Sequence, residues 1–318
     1  SGSSALLVAM SALGVGPGDE IIAPDMTFVS TASAALFLGA VPRFCDIEPA
    51  YFGMAPVELE KRITPRTKVI VPVHYAGHSC EMDPILDIAR RHGIAVLEDA
   101  AESHLALHGG RATGTLGAAG IFSFTPSKPM TTGEGGMIVT DDEAIAQRCR
   151  SIRNFGDRGK FDWQDLGFNF RMPEVMGAIG LAQLVKLPEA VRRRREVAAR
   201  YRRLLAGADI ITLPRERVPQ DANYQLFTIL LDIDRLTVSR DDVIAALWEL
   251  GVSTRLYYPP LHRAGVFARF GPHDDRDYPI AVWYAQRALS LPLYPTLTHE
   301  EQDVVASRLL DLIERFKR

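Results

Sequence analysis

Residues 69–99 read VIVPVHYAGHSCEMDPILDIARRHGIAVLED, and this stretch decides the fold class. Its two apolar ends, Val69–Tyr75 and Ala95–Asp99, are short runs of the kind that form buried β-strands. The segment between them, Asp83–His92, has the apolar spacing of a helix. A strand, a helix and a second strand in this order are typical of a parallel sheet covered by helices.

The same alternation extends in both directions along the chain. Further strand-like runs are Glu20–Pro24, Val41–Ile47, Gly120–Phe124 and Gly136–Thr140, and further helix candidates are Phe28–Gly39 and Asp142–Arg150. We therefore predict an α/β domain with a large, mostly parallel sheet. Parallel sheets bind their ligands at the carboxyl ends of the strands, so functional residues are expected directly after these runs.

The carboxyl-terminal part of the chain has a different pattern. A long helical stretch, Pro173–Ala206, is predicted to be interrupted near Pro188, and the alternation stops after it. The elements predicted beyond it are a strand at Tyr224–Asp232 and helices at Arg240–Leu250 and His299–Lys317. We predict a large domain over residues 1–205 and a smaller α+β domain over residues 206–318.

Composition argues against several classes of function. The 318 residues carry a formal net charge of −3 at pH 7, so there is no overall basic field to attract nucleic acid or an anionic membrane. We expect no signal peptide, because the sequence shows no such pattern, and no apolar run approaches the roughly 20 residues of a membrane span. The three cysteines, Cys45, Cys80 and Cys149, lack metal-type spacing, which predicts reduced thiols, a cytoplasmic protein and no metal site. The basic run Arg192–Arg195 is interpreted as a solvated helix face.

One lysine stands in an unusual setting. The segment Ser123–Gly136 reads SFTPSKPMTTGEGG and places Lys128 between a strand-like run and a turn-rich stretch with three glycines. A lysine in a half-buried pocket can lose its proton and attack an aldehyde. Judged by itself, however, a lysine is more often an ordinary surface residue.

An acidic residue at the end of another strand makes a functional role for Lys128 more favourable than a surface role. Asp99 closes the run Ile94–Asp99, and a pyridoxal phosphate (PLP) site needs a buried carboxylate that keeps the pyridinium nitrogen protonated. The protonated ring is the electron sink of the chemistry. Lys128 and Asp99 together therefore favour a PLP site, although Asp99 alone would also suit a helix N-cap.

The chain offers candidates for the other contacts of such a cofactor. Ser1–Ser4 precedes the helix-like run Ala5–Leu13, and small residues at a helix start bring backbone N–H groups to a phosphate. Ser123 adds a hydroxyl, and the ring of Phe28 is a candidate to stack on the pyridine. The alternatives are a disordered serine-rich chain start and a phenylalanine in plain core packing.

Eight short motifs are spread along the chain: Ser1–Leu6, Gly14–Glu20, Thr27–Phe28, Ile63–Lys68, Glu98–Glu102, Phe122–Phe124, Gly133–Gly136 and Gly167–Met172. In their order and spacing they resemble the motifs of the DegT/StrS-type sugar aminotransferases, a branch of the fold-type-I PLP enzymes. The resemblance covers essentially the whole chain. The resemblance implies PLP as cofactor, glutamate or glutamine as amino donor, and a keto-sugar acceptor that is typically linked to a nucleotide. It also implies a homodimer with shared active sites.

The resemblance assigns roles around the cofactor ring. Lys128 matches the Schiff-base lysine, and Asp99 matches the partner of the pyridinium nitrogen. Glu102 falls where the family often has glutamine, near the ring hydroxyl. Phe28 falls at the position of the stacking aromatic.

The resemblance also assigns roles at the phosphate and the substrate. Gly2, Ser3 and Ser123 fall at phosphate contacts, and Asn169 matches an asparagine that reaches the phosphate of the neighbouring subunit. The stretch Leu256–His262 resembles a substrate-side loop, which makes Tyr257 and His262 substrate candidates. A purely structural role for His262 is an equal alternative.

The chain departs from the family pattern at three points. Ser3 stands where threonine is usual, which keeps the hydroxyl. His104 stands where many members have a small or apolar residue, and plain packing is the alternative to a role. Family members carry some tens of residues before the Ser-Gly motif, so either residues precede Ser1 or the site is less enclosed here.

The same motifs argue against two other functions and leave two alternatives open. A dehydratase of the same branch has histidine in place of the lysine, so Lys128 argues against it. The run Gly14–Gly18 superficially suggests a dinucleotide loop, but it follows a helix and precedes a strand, the reverse of that fingerprint. A cyclitol ketone as acceptor, and a PLP-binding regulatory protein without turnover, stay as alternatives.

Overall fold

The computed structural model describes residues 1–218, 221–270 and 274–318. The strands of its main sheet are β1 (Glu20–Pro24), β2 (Val41–Cys45), β3 (Thr67–Ile70), β4 (Ala95–Asp99), β7 (Ala119–Ser123) and β8 (Gly136–Val139), with β5 (Leu107–His108) and β6 (Arg111–Ala112) forming a separate pair. The six strands lie in the order β2-β1-β3-β4-β7-β8. All neighbours are parallel except β7 and β8, so the predicted α/β fold is confirmed.

Five helices precede the long helix of the chain and pack around this sheet. They are α1 (Gly2–Ala12), α2 (Ser30–Phe37), α3 (Pro56–Arg62), α4 (Met82–His92) and α5 (Glu143–Arg153). Their ends carry the expected local signals. The Asp142 carboxylate accepts hydrogen bonds from the first N–H groups of α5, and Gly93 takes the left-handed conformation, with φ 66°, that ends α4.

Strand β3 ends earlier than the run Val69–Tyr75 predicts. It stops at Ile70, shortly before Pro72, which has no N–H to continue the ladder. The backbone still follows β4, because Val73 forms a single bridge with Asp99. This path brings the turn at Tyr75–Gly77 to the carboxyl end of β4, where it borders the site described below.

The predicted break at Pro188 is wrong. Helix α6 (Glu174–Leu205) passes through Pro188 as one element. A proline inside a helix costs about 3 kcal/mol or more, and packing offsets that cost here. The neighbours Leu187 and Val191 are buried against Phe124 and Met130.

The chain after α6 forms a second, smaller sheet. Its elements are β9 (Ile211–Thr212), β10 (Phe227–Leu231), α7 (Arg240–Glu249), α8 (Pro279–Arg287), β11 (Ala288–Leu291) and α9 (His299–Phe316). The three strands are antiparallel in the order β11-β10-β9. Their core also takes in Tyr201 and Leu205 from the end of α6. The domain boundary at residue 205 stays a prediction.

The basic run on α6 is solvated only in part. Arg192 and Arg193 are exposed and pair with Glu189, as interpreted from the sequence. Arg194 is buried and donates to the backbone carbonyls of Tyr224, Gln225 and Leu293, while Arg195 donates to that of Ala222. Half of the run therefore turns inward, because successive helical residues are about 100° apart and cannot all face solvent.

Candidate active site

The carboxyl end of β4 carries a buried carboxylate. Asp99 accepts a hydrogen bond from the Thr31 hydroxyl at 2.8 Å and one from the backbone N–H of Ala101 at 3.2 Å. Burial raises the pKa of Asp99, and these hydrogen bonds and the charge of Lys128 oppose that shift. No described helix begins at Asp99, so its side chain does not serve as an N-cap.

Lys128 lies in the loop between β7 and β8 and points inward. Its side chain is only 11% exposed, and its Nζ donates to Glu102 Oε1 at 3.1 Å. The structure therefore does not support the surface-lysine alternative. Because β4 and β7 are parallel neighbours, their carboxyl ends bring Asp99, Glu102 and Lys128 to one edge of the sheet.

A tyrosine that the sequence analysis missed completes this cluster. The Tyr258 hydroxyl donates to Glu102 Oε1 at 2.7 Å, and the Ala76 N–H donates to Glu102 Oε2 at 2.9 Å. Burial and the Glu102 carboxylate hold the pKa of Tyr258 well above its ordinary value, so it stays a hydrogen-bond donor. The only sequence signal was the aromatic pair Tyr257-Tyr258, and nothing local shows which ring turns inward.

The predicted phosphate residues meet at the amino end of α1. Gly2 is buried against Ser123, and a Cβ built on Gly2 would lie 2.8 Å from Ser123 Cβ. The Ser3 and Ser30 hydroxyls are 2.7 Å apart, so the first turns of α1 and α2 lie together. Two helix starts thus bring their positive dipole ends to one place, which suits an anion. Within the described residues the N–H groups of Gly2 and Ser3 have no backbone acceptor, whereas those of Thr31 and Ala32 on α2 donate to backbone carbonyls.

Phe28 lies near this cluster rather than in the core. Its side chain is 53% exposed, and its ring edge meets Tyr258 with the ring centroids 5.9 Å apart. In the single chain, Phe28 is therefore not packed in the hydrophobic core. An exposed aromatic face beside Tyr258 is available to stack on a planar ring.

The two substrate candidates differ in their surroundings. Tyr257 lines a cavity beside Ser127, and its carbonyl accepts hydrogen bonds from the Tyr75 and Tyr284 hydroxyls. His262 is buried and uses both ring nitrogens, with Asp25 at 2.6 Å and Asp275 at 2.9 Å. Both carboxylates raise the pKa of His262 against the opposing effect of burial. This geometry favours the structural reading of His262.

Asn169 is not part of the cluster within one chain. It is exposed, its side chain accepts from the Arg171 N–H at 3.3 Å, and its backbone pairs with Asn154. These partners all belong to the segment after α5. The predicted role of Asn169 at a neighbouring subunit therefore stays a prediction.

His104 packs between aromatic rings. It is buried with its ring centroid 5.2 Å from that of Phe122 and 5.8 Å from that of Phe124. Burial, followed by the charge of Lys128, lowers the pKa of His104 to about 3, so the imidazole stays neutral at ordinary pH. These contacts support the packing alternative.

The residues at this edge of the sheet fit PLP. A buried carboxylate with a raised pKa is suited to a positive partner such as a protonated ring nitrogen. Lys128 supplies an inward amine, Phe28 a free aromatic face, and the paired helix starts at Ser3 and Ser30 an anion site. These features match the ring, the aldehyde and the phosphate of one small molecule.

The chain is similar to a known family of proteins. The sequence model of the DegT/DnrJ/EryC1/StrS aminotransferase family matches residues 1–310. The chain is 39% identical to a "Pleiotropic regulatory protein" of Geobacillus stearothermophilus, covering 99% of this chain and 84% of the relative. It is 38% identical to the GDP-perosamine synthase of Caulobacter vibrioides, covering 97% and 83%. Its fold matches the crystal structure of S. venezuelae DesV in complex with a ketimine intermediate, with TM-score 0.92, 35% identity, and coverage of 100% and 84%.

Proposed function

Because the chain belongs to the DegT/DnrJ/EryC1/StrS aminotransferase family, we propose that it moves an amino group from glutamate or glutamine to a nucleotide-linked keto-sugar, with PLP as cofactor. The observation that carries the proposal is the cluster of Lys128, Glu102 and Asp99 at the carboxyl edge of the sheet. The similarity to a GDP-perosamine synthase supports a sugar nucleotide as acceptor.

The proposed chemistry divides between the cofactor and the chain. PLP, when bound, supplies an electron sink that stabilises negative charge at the substrate carbon. Lys128 Nζ holds the cofactor and then carries the proton from the substrate carbon and back. Asp99 keeps the proton on the ring nitrogen, since a buried carboxylate favours a positive partner. Glu102 orients the Lys128 amine, and Tyr258 fixes Glu102 through its hydroxyl.

A regulatory protein without turnover is the second candidate. The similarity to a relative that is named a pleiotropic regulatory protein favours it. The complete set of an inward lysine, a buried carboxylate and an anion site argues for catalysis, because a binding protein has no need of a placed proton carrier. A cyclitol ketone remains the alternative acceptor.

One experiment separates these candidates. The purified protein with added PLP is incubated with glutamate and, separately, with nucleotide-linked 3-keto sugars, nucleotide-linked 4-keto sugars and cyclitol ketones. We expect an amino sugar and 2-oxoglutarate in equal amounts from at least one nucleotide-linked ketone. PLP binding without product from any ketone would contradict the proposal and favour a regulatory protein without turnover. Product from cyclitol ketones alone would show that the acceptor is a cyclitol ketone and not a nucleotide-linked sugar.

We also propose that two copies of the chain assemble through one apolar face. The segment from residue 155 to residue 185 leaves many large apolar side chains exposed in the single chain. The members of this 155–185 face are Phe155, Phe161, Trp163, Leu166, Phe168, Val175, Ile179, Leu181, Leu184 and Val185, with Leu166 87% and Val185 84% exposed. Exposed apolar patches of this kind mark interaction surfaces. Asn169 lies within the segment, so a second copy on this face would bring Asn169 towards a partner.

Charging this face is expected to separate the dimer. Leu181 and Val185 are one turn apart on α6, and replacing both with aspartate buries two charges in the proposed interface. Loss of an interface hot spot of about 2 kcal/mol raises the dissociation constant roughly 30-fold. Light scattering would show the shift to monomer, and turnover would fall with it.

The matched control is Val57→Asp on α3, which charges an exposed valine outside the 155–185 face. It is expected to leave the dimer intact. A wild-type protein that is monomeric and still turns over would contradict the proposed assembly.

A further inference from the structure

A cavity of about 250 Å³ adjoins the Lys128 cluster on the side of the smaller sheet. Its polar lining comes from Ser127, Gln225, Ser253, Arg255, Tyr257 and Ser290. Ser127 and Tyr257 directly precede Lys128 and Tyr258, the two residues that meet at Glu102 Oε1. The cavity therefore borders the loop that carries Lys128.

Arg255 gives the cavity its charge. Its backbone is fixed against β11, where the Ser290 N–H donates to the Arg255 carbonyl at 2.8 Å. Its side chain is exposed and makes no ion pair with any residue in the described ranges. Five other arginines of the smaller sheet region have acidic partners: Arg235 with Asp209, Arg240 with Asp241, Arg263 with Asp275, Arg276 with Asp274, and Arg287 with Asp234. Among the arginines there without such a partner, Arg308 donates to the Leu250 carbonyl, and Arg269 and Arg315 lie over aromatic rings.

Among the residues that the structure describes, no acidic side chain lines the cavity to neutralise Arg255. The Gln225 amide nitrogen donates to the Ser127 carbonyl at 2.7 Å. This hydrogen bond links the segment before β10 to the loop that carries Lys128. The Ser290 hydroxyl pairs with that of Thr228 at 2.8 Å. The lining is therefore positive and held in place, which suits an anionic group of a small ligand.

We propose that this cavity binds a carboxylate of the amino-acid donor, with Arg255 as its anchor. The inference rests on the proposed aminotransferase function and names the donor site within it. A planar guanidinium matches a carboxylate through two parallel hydrogen bonds. A carboxylate held by Arg255 leaves the rest of the donor free to extend towards Lys128.

The chemistry of the two proposed substrates favours the donor in this cavity. In an amino acid the α-carboxylate is attached directly to the reacting carbon, whereas in a nucleotide-linked keto-sugar the sugar ring separates the diphosphate from the keto carbon. A cavity that borders the loop carrying Lys128 therefore suits a donor carboxylate better than a diphosphate.

The test measures ligand binding as well as turnover. Glutarate, a dicarboxylate with neither amino nor keto group, is titrated calorimetrically into the purified wild type, Arg255→Gln and Arg255→Lys. Losing a charged hydrogen-bonded pair is expected to weaken glutarate binding roughly 10- to 100-fold in Arg255→Gln. Arg255→Lys is expected to recover part of the affinity, since it keeps the charge and loses the fork.

Single-turnover measurements then separate the two half-reactions. In Arg255→Gln the donor half-reaction should need a correspondingly higher glutamate concentration, while the acceptor half-reaction of the pre-aminated enzyme stays near wild type. Arg203→Gln removes an equally exposed arginine on α6, away from the cavity, and should change neither.

Two results would overturn the inference. One is unchanged glutarate and glutamate affinity in Arg255→Gln. The other is a defect confined to the sugar half-reaction, which would assign Arg255 to the diphosphate of the acceptor. If the wild type transfers nitrogen from no amino acid, the proposed function fails, and the glutarate titration still decides whether Arg255 anchors a carboxylate.

Discussion

Replacing Lys128 with alanine is expected to lower the rate of amino transfer by a factor of roughly 100 to 10,000. The variant loses the only amine that the described structure places at Glu102, and with it the group that moves the proton at the substrate carbon. Lys128 lies in a loop at the edge of the sheet rather than in the hydrophobic core, so the fold should persist. Turnover with glutamate and a converted keto-sugar measures the effect.

A covalent label provides an independent readout for Lys128. Borohydride treatment of the PLP-loaded wild type, followed by peptide mass spectrometry, should find the cofactor on Lys128 and on no other lysine. Lys61→Ala is the matched control, because Lys61 is an exposed lysine paired with Glu58 on α3. Wild-type turnover in Lys128→Ala would refute both the site and the proposed mechanism.

Replacing Asp99 with asparagine is expected to reduce turnover by a factor of roughly 100 to 1,000, the usual loss when a placed electrostatic group is removed from a reacting centre. Asparagine keeps the size and can still accept from the Thr31 hydroxyl. It cannot balance a positive ring nitrogen, so control of the electron sink is lost while Lys128 remains. The expected result is a cofactor-binding variant with low turnover.

Thermal unfolding separates this role from a structural one. The folded-state pKa of Asp99 is raised by burial, so ionising it costs folded-state stability as pH rises above the ordinary pKa of an aspartate. Without cofactor at neutral pH, Asp99→Asn should therefore be at least as stable as wild type. The rise in Tm on adding PLP should be smaller in the variant. An apoprotein that unfolds much earlier than wild type would instead show a structural role for Asp99.

Local chemistry made part of the site predictable. Lys128 and Asp99 were predicted because each stands at or after the end of a strand-like run, and parallel strands gather their carboxyl ends at one edge. The small residues Ser1–Ser4 before a helix suggested a phosphate site, and the family resemblance assigned Gly2, Ser3 and Ser123 to it. These arguments need only the order of strands and helices, which apolar periodicity reveals.

The contacts between distant parts of the chain were not predictable in this way. Tyr258 contacts Glu102 although it lies 156 residues later in the chain, after α6 and β10. The sequence gives no reason to choose Tyr258 over Tyr257. His262 looked equally suited to substrate and to structure until the chain fold placed Asp25 and Asp275 on its two nitrogens. A residue's partners depend on which face it presents, and that is settled by packing rather than by local sequence.

The sequence by itself determined the α/β class, the prediction of Lys128 and Asp99 as a pair of site residues, and, through resemblance, the family. Each rests on the periodicity or the residue chemistry of short segments, which do not change when the chain folds. Only the tertiary structure decided that α6 continues through Pro188, that Arg194 is buried, and that Arg255 faces a cavity beside Lys128. These outcomes depend on the packing of segments remote in sequence, whose burial energy outweighs local preference.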